Sequence, residues 1–371
     1  MIHAQSSWGG NLAVVHSLCK GLSTRGIRVW LAYPQEEVYA QRFASLGIEF
    51  LPYRFSGKVG FIHLSELVRA IGRLGPVIAH SHNRRADLVC ALSAKYLLGL
   101  PTISTQHGEI NLDRRSLKPK KNPSSLIYRY LLGTAFDRLV APSEYMSDQV
   151  SRVAWGWDRK KIRIIYNGIN TSEYANGDGA RIRSELGLPP GSQVISLIGS
   201  IDKKGHWVAL QAIASLTAQG KDLHLLLVGE GPKEDEARQM AERLSIASRV
   251  HFLGFREDIA DILSASDLLL HPSESEGGLP LSIMEAMSAG VPVVASEVGG
   301  TKELVKHNIT GLSVPAGDVE RLVETISMLL TDKALARRLA NTAKNLVEER
   351  FTTNRMVDSY LNLYTELGLA V

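Results

Sequence analysis

The 371-residue chain is 44% hydrophobic and 22% charged, which suits two well-packed domains of ordinary size and excludes wholesale disorder. No apolar run reaches the length of a membrane span, since Lys95 interrupts even residues 87–100. The net charge of +4 hides an asymmetry. Residues 1–170 hold 23 Lys and Arg against 11 Asp and Glu, a balance of +12, while the remainder holds 19 against 27, or −8. The two halves are therefore expected to meet different partners. No basic leader with a cleavage site opens the sequence, so nothing points to export and a cytoplasmic location is expected. Cys19 and Cys90 fall in expected helices and read as reduced core residues, not as a disulfide or metal set.

A very short strand at residues 1–5 is expected first, followed by Ser6-Ser7-Trp8-Gly9-Gly10. Leu12, Val15, Cys19 and Leu22 then repeat at three- and four-residue steps, the apolar face of a helix. Strand, glycine pair and helix open a doubly wound unit, and Gly9 and Gly10 either let backbone approach a ligand or make a plain tight turn. The alternation continues with a strand at 28–33, a helix from about residue 38, a strand near 48 and a helix at 64–74. A buried strand at 77–80 ends in Ser81-His82-Asn83-Arg84-Arg85. His80 and His82 have a spacing seen in metal sites. With no third ligand nearby and no carboxylate cluster, a structural or acceptor-contact role is favoured. The next strand, 102–105, ends in Gln106-His107-Gly108-Glu109, where His107 reads as a satisfied loop histidine or as a functional one. Arg114, Arg115, Lys118, Lys120 and Lys121 follow, a solvated surface or a contact for an anionic membrane or a phosphate-bearing acceptor. Asn176-Gly177-Asp178-Gly179 and Pro189-Pro190-Gly191 mark a linker and the start of a second domain.

Six strands separated by helical stretches are expected in that domain, at 194–198, 224–228, 250–253, 267–270, 291–295 and 311–314. Ligands of such parallel sheets bind off the carboxyl ends of the strands. Residues 268–300 carry the most informative stretch. An apolar strand ends at His271-Pro272, and a polar loop leads to Pro280, which suits the first turn of a helix because its missing N–H is unpaired there. Gly290 stops that helix and a buried strand follows. The free amides of the loop and the helix N-terminus make an anion site, and Glu285 sits one turn further in. A carboxylate beside an amide cradle suits a ligand with both hydroxyls and phosphates, as in a nucleotide sugar.

The stretch SEGGLPLSIMEAMSAGVPVVAS resembles the signature of the group 1 (family 4) retaining glycosyltransferases of the GT-B fold. The resemblance implies an α/β protein with two Rossmann-like doubly wound domains facing each other across a cleft. Residues 1–170 would form the acceptor-side domain, with the tail 352–371 packing back on it, and residues 171–351 the nucleotide-sugar domain. In that family the second Glu of the signature binds the ribose, a role that falls on Glu285. The first lies beside the donor sugar, a role that falls on Glu276. Here the two are nine positions apart where the family has eight, and the extra residue falls in Gly277, Gly278 and Leu279. Gly199-Ser200-Ile201-Asp202-Lys203-Lys204-Gly205 matches the family's diphosphate loop, with Ser200 where an Arg is usual. Lys204 is then the phosphate cation, and the second cation is either missing or supplied by Lys203; the alternative for Lys204 is a solvated lysine at a helix start. Gly229, Gly254 and Phe255 match the base-side loops, with apolar packing the alternative for Phe255. Gly9 and Gly10 would face the donor, and His107 would lie near the transferred sugar. Residues 139–143 and the Asn-Gly-Ile-Asn turn at 167–170 resemble the family's closing landmarks of the first domain.

The function so implied is transfer of a sugar from a nucleoside diphosphate sugar, with retention of configuration, to a bacterial-type cell-surface polysaccharide, lipopolysaccharide or lipid-linked glycan. Catalysis would be largely electrostatic, by Lys204, the Gly277 and Gly278 amides and the helix end, with no cofactor and no metal. Glu276 and His107 would hold the donor sugar. Arg84, Arg85, Arg114 and Arg115 are candidate acceptor or membrane contacts, on the inner face of the membrane, and no nucleic-acid partner is expected. A sugar-nucleotide epimerase of the same fold is the alternative, opposed by the Glu276–Glu285 loop and the basic first half. A nicotinamide dehydrogenase would need a third glycine after Gly229-Glu230-Gly231.

Overall fold

The computed structural model describes all residues except 3–8, 35–39, 54, 57–60, 63, 76–77, 109–122, 154–157, 203 and 371. The chain divides into two compact units, Met1–Gly168 with Thr353–Val371, and Ile169–Thr352.

In the first unit, four parallel strands lie in the order Ala79–Ser81, Thr102–Thr105, Arg138–Ala141, Ile162–Ile164. Trp30–Pro34 and Glu49–Tyr53 form a parallel pair. Ile2 joins the two groups by bridging Ala32 on one side and Ser81 on the other. Of the strand expected at residues 1–5 only this bridge at Ile2 is described, since residues 3–8 lie outside the described residues; a helix at Gly10–Ser23 comes next. The core gathers Val89, Ala94, Leu132, Phe136, Leu139 and Met146. Two features depart from the expected alternation. A small antiparallel ladder pairs Phe55–Ser56 with Phe61–Ile62, and the helix Arg84–Cys90 continues as a π-helix over Ala91–Leu97. Both cysteines are buried free thiols whose pKa burial pushes up to about 12, so neither is poised to react. The final helix, Thr353–Glu366, packs on Gly10–Ser23. A Cβ at Gly21 would stand 2.4 Å from Val357 Cγ2, so this close approach requires glycine.

The second unit has six parallel strands in the spatial order Val250–Gly254, Leu223–Val228, Gln193–Ile198, Leu268–His271, Val293–Ser296, Leu312–Val314. In chain order this is 3-2-1-4-5-6. The direction of winding reverses between the first strand, Gln193–Ile198, and the fourth, Leu268–His271. Doubly wound sheets open a binding crevice at that reversal, off the carboxyl ends of the strands. All six residues of Leu223–Val228 and all four of Leu268–His271 are buried, as helices on both faces demand.

Candidate active site

The site in the second unit grows from the reversal point. The first strand ends at Ile198 and the chain runs to Lys204-Gly205 before the helix His206–Ala218. Gly205 has φ 74°, and a Cβ there would lie 1.8 Å from the carbonyl oxygen of Pro272, just past the fourth strand. Only glycine lets the two loops close so tightly. The closure brings Lys204 from one loop to Glu276 from the other as an ion pair. His271, the last residue of the fourth strand, places Nε2 2.8 Å from the same carboxylate oxygen.

The protonation states follow from burial and partners. Burial pushes His271 below the usual imidazole range, so the ring is neutral and donates its Nε2–H to the Glu276 carboxylate. For Glu276 burial alone would raise the pKa. The hydrogen bond from His271 and the charge of Lys204 overcome it and hold the carboxyl at about 2. Glu276 is an ionised carboxylate, 10% exposed, at the switch point.

The loop then passes Gly277, Gly278 and Leu279 to Pro280. Pro280 occupies the position before the helix Leu281–Ser288, one residue earlier than expected, with ψ 123°. The extended ψ ends the loop there, and the free first-turn amides begin with Leu281. Leu279 is buried, and Gly300 N–H donates to the Glu276 carbonyl at 3.3 Å. Glu285 lies one turn into the helix. The short 3-10 turn Thr171–Tyr174 docks there through Ser288 Oγ, which donates to Thr171 O at 3.1 Å. Tyr174 Oη donates to Glu285 Oε1 at 3.1 Å. Burial, with the nearby charge of Glu173, pushes Glu285 up to about 7 against the lowering effect of that hydrogen bond. Gly229 N–H donates to Gly254 O at 2.7 Å, so the two base-side loops touch, and Phe255 is 44% exposed beside them. The structure thus brings Lys204, Glu276, Gly277, Gly278 and Leu279 together, and Gly229 with Gly254; Lys203 lies outside the described residues.

In the first unit, Gly9 is extended and Gly10 starts its helix. His107 is buried, and its Nε2 lies 3.1 Å from His82 Nδ1. The contact arises because the parallel strands Ala79–Ser81 and Thr102–Thr105 end side by side, which brings a third histidine beside the His80 and His82 pair. The rings still do not form a metal site. His80 spends Nδ1 on Tyr364 Oη and Nε2 on Thr105 Oγ1, each at 2.7 Å. Among the described residues no group of three or more His, Cys, Asp or Glu is placed to hold a metal. Beneath the strand ends, buried Asp87 accepts from Ser81, Ser104, Gln106 and Tyr128. Arg84 and Arg85 are exposed at a helix start, the Arg84 guanidinium 4.8 Å from the Tyr128 ring centroid. Arg114 and Arg115, with Lys118, Lys120 and Lys121, lie outside the described residues.

Three polar residues were not singled out from sequence. His271 and Tyr174 hold the two carboxylates, and the histidine at a strand end five residues before Glu276 was a usable signal for the first. His206, 1% exposed, has both ring nitrogens without a hydrogen-bond partner among the described residues. Burial, with the charge of Lys204, lowers it to about 4, so it is neutral. Such a group calls for a bound water or ligand.

Comparison with known proteins assigns the class. The family described as "Glycosyl transferases group 1" matches residues 178–346, and that described as "Glycosyltransferase Family 4" matches residues 8–173. The chain belongs to the group 1, family 4 glycosyltransferases. It is 28% identical over 356 residues to N-acetyl-alpha-D-glucosaminyl L-malate synthase of Bacillus anthracis, covering 95% of this chain and 89% of that protein. It is 32% identical over 301 residues to D-inositol 3-phosphate glycosyltransferase of Rhodococcus jostii, covering 77% of this chain and 66% of that one. The crystal structure of Anabaena HepE in complex with UDP-glucose shares the fold with a TM-score of 0.86 at 20% identity, over 98% of this chain and 99% of that one. The fold is GT-B, and the protein is a glycosyltransferase.

Proposed function

We propose that this glycosyltransferase moves a sugar from a nucleoside diphosphate sugar to an acceptor hydroxyl with retention of anomeric configuration and without a metal. The observation that carries the reading is the partly buried Lys204–Glu276–His271 cluster at the switch point, with Glu285 one helical turn further on and bonded to Tyr174. The HepE structure, a complex with UDP-glucose, supports a nucleotide sugar as donor.

In this reading Glu285 accepts the ribose hydroxyls, and the Gly229, Gly254 and Phe255 loops receive the base. The diphosphate meets the Gly277 and Gly278 amides, the first turn of Leu281–Ser288, and Lys204, which it shares with Glu276. The bond from the anomeric carbon to the diphosphate oxygen breaks and the diphosphate leaves with the electron pair. Its growing charge is what the cation and oriented amides stabilise. The acceptor oxygen attacks from the same face, and its proton passes to the departing phosphate oxygen. Glu276 and His107 hold the donor sugar; Gly9, Gly10 and Lys203 belong to the donor side.

The acceptor is proposed as an anionic, hydroxylated molecule, because residues 1–170 carry +12. A lipopolysaccharide, cell-surface polysaccharide or lipid-linked glycan fits, met at the inner face of the membrane with Arg84 and Arg85 on the acceptor side. The names of the two relatives favour a second form of the same chemistry, since L-malate and D-inositol 3-phosphate are small hydroxylated anions. The test is a thermal-shift panel of UDP, GDP and ADP sugars, followed by product analysis with anionic and neutral acceptors. Ligand at about a hundred times its Kd adds roughly 2.7 kcal/mol to the folded state, so one nucleotide series should raise the melting temperature. No shift with any of them refutes the donor assignment.

A further inference from the structure

Ten large hydrophobic side chains are exposed among the described residues, and six of them sit on two neighbouring helical segments of the first unit. Leu88 is 42% exposed on Arg84–Cys90, and Tyr96 and Leu97 are 53% and 61% exposed on its π-helical continuation. Leu126, Ile127 and Tyr130 are 36%, 65% and 61% exposed on Pro123–Ala135. Two contacts set the segments side by side. Arg84 lies over the Tyr128 ring at one end, and Tyr96 Oη is 3.2 Å from Thr134 Oγ1 at the other. Arg84, Leu88 and Tyr96 recur at multiples of four residues, so they share one side of the first segment. The opposite sides of the two helices supply core residues such as Val89, Ala94, Leu131 and Leu132. The exposed set is therefore a second apolar face, separate from the one that the fold uses.

We propose that this two-helix face docks the first unit on an anionic lipid bilayer, with Tyr96, Ile127 and Tyr130 in the headgroup–acyl boundary and Arg84 and Arg85 at the lipid phosphates. The inference rests on the membrane-side acceptor reading above and names its surface. Soluble monomers rarely leave so many large apolar groups together. Tyrosine with aliphatic side chains, rimmed by arginine, is the composition of an interfacial helix face. Among the described residues no helix is long and apolar enough to cross a membrane. A second copy of the chain is the competing occupant, and charge disfavours it. A twofold contact would bring Arg84, Arg85 and a +12 region against their own copies. An anionic bilayer complements the same charge.

The experiment is flotation of the full chain with neutral phosphatidylcholine vesicles and with vesicles containing about a third phosphatidylglycerol, at low salt. Melting temperature and nucleotide affinity are measured in parallel. The wild type is expected to bind the anionic vesicles. The Ile127→Asp/Tyr130→Asp pair is expected to lose at least about tenfold in partition, as each added carboxylate opposes both insertion and surface charge. Ile127→Trp should strengthen binding a few-fold, a gain that misfolding cannot mimic. All three proteins should melt and bind nucleotide alike. Wild type that ignores anionic vesicles overturns the proposal, as does an Asp pair that binds like wild type. Sedimentation showing a dimer that the Asp pair dissociates also overturns it, and gives the face to a second copy. Failure of the wild type to bind any nucleotide counts against the proposed function and leaves the flotation result standing.

Discussion

Glu276 and Glu285 stand nine residues apart on one loop and helix, both in enclosed surroundings, and their environments drive them in opposite directions. Glu276 has Lys204 and the Nε2–H of His271 on one oxygen and is held at about 2. Glu285 has a tyrosine hydroxyl, the charge of Glu173 and no ion pair among the described residues, and rises to about 7. Burial disfavours the charged form at both sites; a cation and a good donor decide the outcome at one of them. The first carboxylate is ionised by its protein partners alone. In the function proposed above, the second would complete its ionisation on the hydroxyl donors of a bound ribose. Pairs of acids pushed apart in this way mark sites with divided roles.

Removing the cation should break the contrast most. Lys204→Ala is expected to cut turnover by about 10²–10³, the cost typical of losing a group aimed at transition-state charge. Donor affinity should fall less, because leaving-group charge peaks in the transition state. Steady-state kinetics with an equal loss in both would make Lys204 a binding residue only. The same variant should raise the Glu276 pKa. A depressed carboxyl contributes stability above its unfolded pKa of about 4.3 and loses it as pH falls toward the folded value. Acid unfolding of Lys204→Ala should therefore begin at higher pH than in the wild type.

Glu285→Gln tests the other side. Charge-assisted hydrogen bonds to ribose contribute about 1.5–3 kcal/mol each, so affinity for the free nucleoside diphosphate should fall about tenfold to a hundredfold. Unchanged affinity in calorimetric titration removes Glu285 from the site. The sign for stability is opposite. A carboxyl whose folded pKa is raised loses stability as pH climbs from the unfolded value to the folded one. Near pH 8 the ligand-free glutamine variant should then be more stable by about 1–3 kcal/mol, allowing for partial solvent screening. A smaller effect follows in pH. If only ionised Glu285 binds ribose, wild-type affinity should be about tenfold weaker at pH 6 than at pH 8, and the glutamine variant should be flat.

The sequence announced much of this scaffold because its pattern is local. Apolar runs such as residues 223–228 and 268–271 are buried on both faces, so they read as strands without any knowledge of neighbours. Gly290, at φ 74°, ended its helix where a left-handed residue was needed. What stayed hidden depends on which strand ends meet. Lys204 pairs with Glu276 across 72 residues, through a loop contact that Gly205 permits, and spacing carries no trace of it. The His82–His107 contact is hidden for the same reason, since two adjacent strand ends create it. The π-helical turn at Ala91–Leu97 keeps an ordinary helical composition, so no residue betrays the change of hydrogen-bond step.

The smallest expected effect is that of removing divalent metal, and it bears on the same two carboxylates. A donor diphosphate needs positive charge as its bond to the sugar breaks. A protein supplies that charge by a metal held on carboxylates or by side-chain cations and oriented amides. Here the carboxylate nearest the proposed phosphate site is already matched by Lys204, and the amides of Gly277, Gly278 and the first turn of Leu281–Ser288 follow it in the chain. A metal at this point would have to displace Lys204 from Glu276 and find further ligands. Turnover in EDTA should therefore stay within about twofold of the untreated value, a difference under 0.5 kcal/mol in the barrier. Complete loss in EDTA, restored by magnesium or manganese, would overturn this division of labour. Glu276 would then be the metal's carboxylate in the working enzyme, and its pairing with Lys204 would belong to the empty state alone.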